Sequence, residues 1–179
     1  MLSKVTNVAL IGCGRVAETH AKCLVSLPHT NLAAVVDVKV DRAKHFSEQF
    51  GVPWFTDFED VIKAPEIDAV ELATPHYLHA PMAIAAAKAG KHVLTEKPMA
   101  ITSADADRMI QTAKDNNVIL GVIFQSRWND ASRAAKKAIE EGQIGKVFGA
   151  RAFITWDRSD EYYKNSDWKG TWDKEGGGV

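Results

Sequence analysis

The amino-acid sequence predicts an α/β protein built around a doubly wound parallel sheet. Apolar runs of strand length alternate with helix-type segments, and these runs are apolar throughout instead of alternating with polar residues. A pair of glycines joins the first run to the first helix. Strands that are apolar on both faces need helices on both faces, which is the arrangement of a parallel sheet.

The first half of the predicted sheet contains three strand–helix pairs. An apolar run leads from the amino terminus into an amphipathic helix, and the run NLAAVVDV leads into a second one. The third pair is weaker, because its strand is short. The three strands are predicted at 5–11, 31–38 and about 53–55, and the three helices at about 15–27, 40–50 and 57–63.

The second half of the predicted sheet continues the alternation. DAVELAT precedes the alanine-rich helix of HAPMAIAAAKAG, in which Pro81 is expected in the first turn and Gly90 at the end. The segment TSAD resembles a capping box, with aspartate in place of glutamate, and predicts the start of another helix. The remaining strands are predicted at 68–74, 92–96 and 118–124, with a helix from 102 to about 116 between the last two.

Composition and charge exclude several classes of protein. The chain has 179 residues, 46% apolar and 25% charged, as in a globular protein of one domain or slightly more. Its 22 Lys and Arg balance 23 Asp and Glu, which disfavours nucleic acid or an anionic membrane as partner and favours small molecules. No run suits a signal peptide or a membrane span, so the cytoplasm is predicted. Cys13 and Cys23 lack metal or disulfide spacing, so no metal site is predicted and both are expected to be buried packing residues.

The glycine pair forms a recognisable phosphate-binding pattern. Gly12, Gly14 and Ala17 fit G-x-G-x-x-[GA], placed after a predicted strand and at the start of a predicted helix. The first glycine permits the turn, the second allows backbone to approach a pyrophosphate, and the small alanine allows close packing of helix on strand. This pattern predicts a dinucleotide-binding Rossmann domain. Its expected phosphate-side contacts are Gly12, Cys13, Gly14, Arg15 and Val16.

Asp37 predicts which dinucleotide binds. It ends the second predicted strand, where a carboxylate accepts hydrogen bonds from the adenosine ribose hydroxyls. The same carboxylate repels a 2′-phosphate, so NAD is predicted over NADP. Lys39 and Arg42 lie nearby and leave NADP open as the alternative.

Two further stretches carry a resemblance to a known family. ATPHYLHAPMAIAAAKAGKHVLTEKPMAIT, at 73–102, resembles the core of the Gfo/Idh/MocA oxidoreductases, which typically have a TPN segment and then an EKP segment. The resemblance implies an NAD-dependent sugar dehydrogenase. GQIGKVFGARAF and YYKNSDWKGTWDKEGGGV look most similar to enzymes that oxidise nucleotide-linked N-acetyl sugar acids, the UDP-N-acetylglucosaminuronate 3-dehydrogenase type.

Lys97 is the predicted catalytic residue. It follows the fifth strand, and in open α/β sheets ligands bind at the carboxyl ends of strands. When a sugar carbon loses hydride, its hydroxyl loses a proton, and a cation beside that oxygen stabilises the developing alkoxide. Glu96 is expected to contact the nicotinamide side or to orient Lys97. The alternative is an ordinary solvated lysine at the end of a strand.

The resemblance also implies further cofactor contacts. His79 matches the family histidine that lies near the cofactor, although an ordinary capping or packing histidine fits the sequence equally well. His76 stands where the family usually has asparagine, and Lys169 where arginine is commoner after tryptophan. Instead of contacting the cofactor, Arg127 could form a salt bridge in the linker. Trp168 could likewise belong to a loop that packs on the second domain. The contacts implied are Thr74, Pro75, His76, His79, Glu96, Lys97, Arg127, Trp168 and Lys169, whereas His20 and His92 are expected to be structural.

Two domains are predicted, a dinucleotide-binding Rossmann domain at 1–125 and the incomplete start of an α+β substrate and oligomerisation domain at 126–179. A helix at about 130–141 precedes KVFGARAFITW, 146–156, whose alternation predicts a strand that has no antiparallel neighbour in the sequence. Family members continue into an open sheet at this point, so the chain is expected to be a truncated, inactive portion of a homo-oligomeric enzyme. The alternative is a non-catalytic dinucleotide-binding sensor or regulator.

Overall fold

The computed structural model describes residues 5–177 and contains a six-stranded sheet in the order β3-β2-β1-β4-β5-β6, with every neighbouring pair parallel. This order is that of a Rossmann fold and confirms the predicted doubly wound sheet. The strands are β1 (Thr6–Ile11), β2 (Thr30–Val36), β3 (Trp54–Phe55), β4 (Ala69–Leu72), β5 (His92–Thr95) and β6 (Leu120–Val122).

Helices follow the strands in the predicted alternation, but one begins earlier than expected. The helix after β4 begins at His76, directly after Pro75, so Pro81 lies in its interior and not in its first turn. The fixed φ of Pro75, −57°, suits the residue that precedes a helix. The helices are α1 (Ala17–Ser26), α2 (Val40–Phe50), α3 (Phe58–Ile62), α4 (His76–Lys88), α5 (Ser103–Asp115), α6 (Asp130–Glu140) and α7 (Asp160–Lys164), with a 3₁₀ turn at Gln125–Trp128.

The sheet is buried on both faces, as its apolar strands predict. Along β1, Val8 and Leu10 belong to one cluster of buried side chains, and Ala9 and Ile11 belong to the other. The first cluster includes residues of α1 and α2, and the second includes residues of α4 and α5. Successive side chains of a strand point to opposite faces, so each strand contributes to both cores.

The strand register aligns the last residues of four strands at the carboxyl edge of the sheet, so the loop residues that follow them also form a row. Val36, Ile11, Leu72 and Thr95 lie side by side in β2, β1, β4 and β5. The residues that follow them are Asp37, Gly12, Ala73 and Glu96.

The described residues divide into two compact units. Residues 5–123 and 170–177 form the first, which contains the sheet, and residues 124–169 form the second. This spatial division does not test whether the chain folds as domains at 1–125 and 126–179, which stays a prediction.

One expectation for the second unit is wrong. Residues 146–156 form no strand, because residues 124–169 contain no other strand with which they could pair. Phe148 and Phe153 of this segment are about nine-tenths exposed, at 93% and 89%. In the same unit Tyr162 and Tyr163 lie in α7, and their ring centroids are 5.1 Å apart.

One cysteine also differs from expectation. Cys13 is buried as predicted, but Cys23 is exposed because it lies on the outer side of α1, away from the buried Ala21 and Leu24. Among residues 5–177, no helix has the length and apolar character needed to cross a membrane. The same residues contain no group of three or more His, Cys, Asp or Glu side chains that could hold a metal ion.

Candidate cofactor and catalytic site

The turn after β1 requires glycine at its first position. Gly12 has a φ of +93°, and its N–H donates to the carbonyl oxygen of Val36 at 2.7 Å. A Cβ atom at this position would lie 2.7 Å from the carbonyl oxygen of Ala73, which follows the neighbouring β4. Both the dihedral angle and the close approach exclude a side chain here.

The second glycine faces open space at the start of α1. A Cβ atom built on Gly14 meets no atom within 4 Å. Ala17 is fully buried, so the first turn of α1 packs tightly on the sheet, and no side chain caps the helix at Val16. Uncapped first-turn amides beside open space, with the exposed Arg15 adjacent, fit the pyrophosphate of a dinucleotide.

Asp37 is held rigidly at the edge of this turn. Its Oδ2 accepts the backbone N–H of Cys13 at 2.9 Å, and its Oδ1 accepts that of Lys39 at 2.8 Å. The carboxylate is 9% exposed, and its remaining lone pairs fit ribose hydroxyl donors. The Cys13 amide therefore orients Asp37. Burial, reinforced by the Asp37 charge, raises the pKa of the Cys13 thiol to about 12.

Replacing Asp37 by alanine is expected to reduce the preference for NADH over NADPH by about 1–3 kcal/mol, because charged hydrogen bonds to the ribose are lost together with repulsion of the 2′-phosphate. Fluorescence titration of both dinucleotides with the 1–179 chain measures the change. Asp41→Ala removes an exposed carboxylate near the start of α2 and serves as control. Tighter binding of NADPH than NADH by the unmodified chain would contradict the prediction.

The turn that contains Lys97 follows β5. The Lys97 side chain is exposed, and its backbone N–H donates to Oε2 of Glu96 at 3.0 Å. The Lys97–Pro98 peptide bond is cis. Glu96 in turn donates its N–H to the carbonyl oxygen of Leu72, which ties the turn to the end of β4. The lysine thus projects from a well-anchored turn at the carboxyl edge of the sheet.

His79 links the loops that follow β4 and β5. Its ring is fully buried, with Nδ1 at 2.8 Å from the carbonyl oxygen of Pro98 and Nε2 at 2.9 Å from that of Thr74. Both partners are acceptors, so the neutral ring donates to one and the protonated ring to both. This arrangement favours the packing alternative for His79; its direct contact with a cofactor stays a prediction.

The segment between β4 and α4 contains a buried hydroxyl without a partner. Oγ1 of Thr74 is the buried side-chain polar atom of residues 5–177 that makes no hydrogen bond, and it fits a polar group of a ligand. Pro75 follows it and precedes α4. The half-buried His76 places Nδ1 3.1 Å from the carbonyl oxygen of Glu175. Burial lowers the pKa of His76 below its ordinary value, against the opposing effect of that carbonyl.

Sequence reasoning missed a cluster formed by His20, Glu71 and Glu96. Nδ1 of His20 lies 2.5 Å from Oε1 of Glu71, and Nε2 lies 3.1 Å from Oε1 of Glu96. Burial alone would lower the pKa of His20, but hydrogen bonds to the two carboxylates outweigh it and raise the pKa to about 9. Burial alone would raise the pKa of Glu96, yet His20 and the Lys97 amide lower it. The available signal was a glutamate within the apolar run DAVELAT.

This cluster predicts a pH dependence of stability. The folded-state pKa of His20, about 9, exceeds its ordinary value of 6.5, so its stabilisation is complete below about pH 6.5 and is lost as the pH rises through about 9. The loss is expected to approach about 3 kcal/mol. Urea unfolding between pH 6 and 10 measures it, and His20→Gln should remove this part of the dependence. His45→Gln, at an exposed site on α2, should leave it intact; an equal slope in His20→Gln would refute the assignment.

The remaining predicted contacts belong to the second unit, and their cofactor roles stay predictions. The Arg127 guanidinium carbon lies 5.0 Å from the ring centroid of Phe124. The Lys169 ammonium lies 3.7 Å from that of Tyr162 and 5.9 Å from that of Trp168. The first unit alone brings together the glycine turn, Asp37 and the loops that follow β4 and β5.

Two family models match successive parts of the chain. Residues 6–124 match GFO_IDH_MocA, described as "Oxidoreductase family, NAD-binding Rossmann fold". Residues 132–179 match the GFO/IDH/MocA C-terminal domain.

Individual relatives are sugar and polyol dehydrogenases. The chain is 34% identical to levoglucosan dehydrogenase of Pseudarthrobacter phenanthrenivorans over 172 residues, which cover 91% of the chain and 44% of that protein. It is 38% identical to myo-inositol 2-dehydrogenase of Thermotoga maritima over 141 residues, covering 78% and 42%. The chain thus spans less than half the length of either protein.

The fold also matches solved structures. The WlbA dehydrogenase from Bordetella pertussis, in complex with NADH and UDP-GlcNAcA, superimposes with a TM-score of 0.93 at 31% sequence identity. The match covers 98% of the chain and 51% of the WlbA chain.

Proposed function

The chain belongs to the GFO/IDH/MocA family of NAD-binding oxidoreductases, and we propose that it supplies the cofactor-binding part of an NAD-dependent sugar dehydrogenase. The observation that carries the proposal is the row at the carboxyl edge of the sheet. In that row the fixed Asp37 carboxylate follows β2, the Gly12 turn follows the neighbouring β1, and the Lys97 turn follows β5, with β4 between β1 and β5. Open space at Gly14 and the unpartnered Thr74 hydroxyl add room and polarity for the dinucleotide.

The proposed roles divide between binding and chemistry. Asp37 accepts the ribose hydroxyls, and the amides at the start of α1 hold the pyrophosphate. Bound nicotinamide supplies the acceptor for the hydride that leaves the substrate carbon. Lys97 presents a cation to the hydroxyl oxygen on that carbon and stabilises the negative charge that develops as the hydroxyl loses its proton. The exposed lysine on an anchored turn suits this role.

For the substrate, we favour a nucleotide-linked sugar acid within the broader class of sugars and polyols. The support is the likeness to WlbA, whose crystal contains UDP-GlcNAcA and whose structure matches nearly the whole chain. The myo-inositol and levoglucosan dehydrogenases are similar over smaller shares of their own length, so plain polyols and anhydrosugars are the comparison substrates.

The 1–179 chain is expected to bind NADH but to show no turnover. The glycine turn, Asp37 and Lys97 lie in the first unit, whereas the relatives are about twice as long, and losing the groups that position a substrate costs several kcal/mol of activation free energy. Calorimetric titration with NADH and assays with NAD⁺ and UDP-GlcNAcA, myo-inositol or levoglucosan test this.

The complete gene product that contains residues 1–179 is assayed beside the chain. Turnover of UDP-GlcNAcA by that product supports the proposed substrate class. Turnover of only myo-inositol or levoglucosan would instead assign the protein to plain polyols or anhydrosugars. NADH binding without turnover of any sugar would favour the non-catalytic sensor. Absence of NADH binding by both proteins would overturn the proposed function.

A further inference from the structure

Glu71 is a carboxylate in the middle of a buried strand. It lies in β4 between Val70 and Leu72, pairs with Leu10 of β1, and is 3% exposed. Val70 and Leu72 point into the core on the α4 side, so alternation directs Glu71 to the α1 side of the sheet. An ionised carboxylate in such a place is strongly unfavourable without a charged partner. The cofactor site described above makes no use of it.

His20 is that partner, and it also reaches a second carboxylate. The ring lies between Glu71 and Glu96, and its side chain is 12% exposed. These two carboxylates are the charged groups that face the ring. Strands β1 and β2, against which α1 also packs, contain no charged residue. The exposed Glu18 of α1 interacts chiefly with Lys22 and more weakly with His45 of α2.

Both ring nitrogens of His20 face carboxylate oxygens, and this geometry favours the doubly protonated ring. A neutral imidazole has one N–H donor and could donate to only one of the two carboxylates. A doubly protonated ring donates to both, at 2.5 Å to Glu71 and 3.1 Å to Glu96. Charge-assisted bonds of this kind are the strong ones in a buried setting.

Glu96 extends the chain of contacts to Lys97. While its Oε1 accepts from His20, its Oε2 accepts the backbone N–H of Lys97 at 3.0 Å. His20 lies one turn into α1, the helix whose first residues adjoin the Gly14 turn. A continuous set of hydrogen bonds therefore runs from the phosphate-binding helix to the turn that contains Lys97.

We propose that His20 is a positioning residue: as a buried imidazolium anchored on Glu71, it holds Glu96 in the orientation that fixes the Lys97 turn, and it thereby connects that turn to helix α1. The inference relies on the proposed function only for the catalytic use of Lys97. The geometric link itself is independent of substrate, so its test needs no turnover.

Nuclear magnetic resonance spectroscopy of the 1–179 chain tests directly whether the protonation of His20 affects the Lys97 turn. The imidazole ¹⁵N signals of His20 are expected to show a doubly protonated ring at pH 7 and to titrate near pH 9. The backbone amide signal of Lys97 is expected to shift with the same midpoint. A neutral ring at pH 7, or a Lys97 amide that does not follow the His20 titration, would overturn the proposal. A histidine that only fills space would leave the Lys97 amide unchanged.

Variants test each contact separately. Glu96→Gln is expected to lower the His20 midpoint by about one pH unit or more and to uncouple the Lys97 amide from it. His20→Gln is expected to abolish the transition of the Lys97 amide, and His45→Gln is expected to preserve it. If His20→Gln fails to fold, the titrations of Glu96→Gln and of the unmodified chain still test the link between His20 and the Lys97 amide. An unchanged His20 midpoint in Glu96→Gln would exclude the link, whether or not NADH binds or sugars are oxidised.

Discussion

Replacing Lys97 by methionine in the complete gene product is expected to lower turnover about 100-fold or more, while the dissociation constant of NADH changes less than about twofold. Methionine preserves much of the apolar stem and removes the ammonium. The change therefore isolates the charge that is proposed to stabilise the developing alkoxide. Because the Lys97 side chain is exposed, its loss should leave the free energy of unfolding nearly unchanged.

Steady-state kinetics and NADH titration of the same samples measure this result. Lys88→Met serves as the control, because it makes the same substitution at the exposed end of α4, away from the carboxyl edge of the sheet. Turnover of Lys97→Met within a few-fold of the unmodified protein would return Lys97 to the class of ordinary solvated lysines. A large loss of NADH affinity instead would assign the lysine to cofactor binding.

Gly12→Ala is expected to destabilise the chain by about 2–4 kcal/mol and to abolish measurable NADH binding. The new methyl group would lie 2.7 Å from the backbone oxygen of Ala73, and alanine is disfavoured at a φ of +93°. Backbone of both β1 and β4 would have to move apart at the point where the pyrophosphate is proposed to bind.

Gly14→Ala is the matched control. A methyl group there meets no protein atom within 4 Å, so stability should change by less than about 1 kcal/mol. NADH affinity should nevertheless fall, because the methyl group occupies space proposed for the cofactor. Urea unfolding and titration of both variants separate the two effects. Equal destabilisation by the two substitutions would refute the distinction drawn between the glycines.

The Rossmann sheet and the glycine turn after β1 were predictable because their signals are local. Gly12, Gly14 and Ala17 lie within six residues, and the apolar strand before them and helix after them supply the context. The position of Asp37 beside this turn was predictable because its distance from the turn is set by one helix and one strand. In each case a few neighbouring residues determine the geometry.

The His20 cluster was not predictable, because its members are far apart in the chain. Glu71 and Glu96 are brought to His20 by the pairing of β1, β4 and β5 and by the packing of α1 on one face of the sheet. The prediction of a strand at residues 146–156 failed for a related reason. Their alternation describes the side chains of a strand, but a strand also needs a neighbour, which the described residues of that unit do not contain.

The different surroundings of the two cysteines make the chain suitable for labelling at a single site. The Cys13 thiol is buried and, with its pKa raised to about 12, stays protonated at neutral pH. Cys23 is exposed on α1, the helix whose first turn is proposed to bind the pyrophosphate. Maleimide reagents attack thiolates, so a fluorophore should attach to Cys23 alone. The unmodified sequence therefore offers an optical reporter on the helix that dinucleotide binding is proposed to engage.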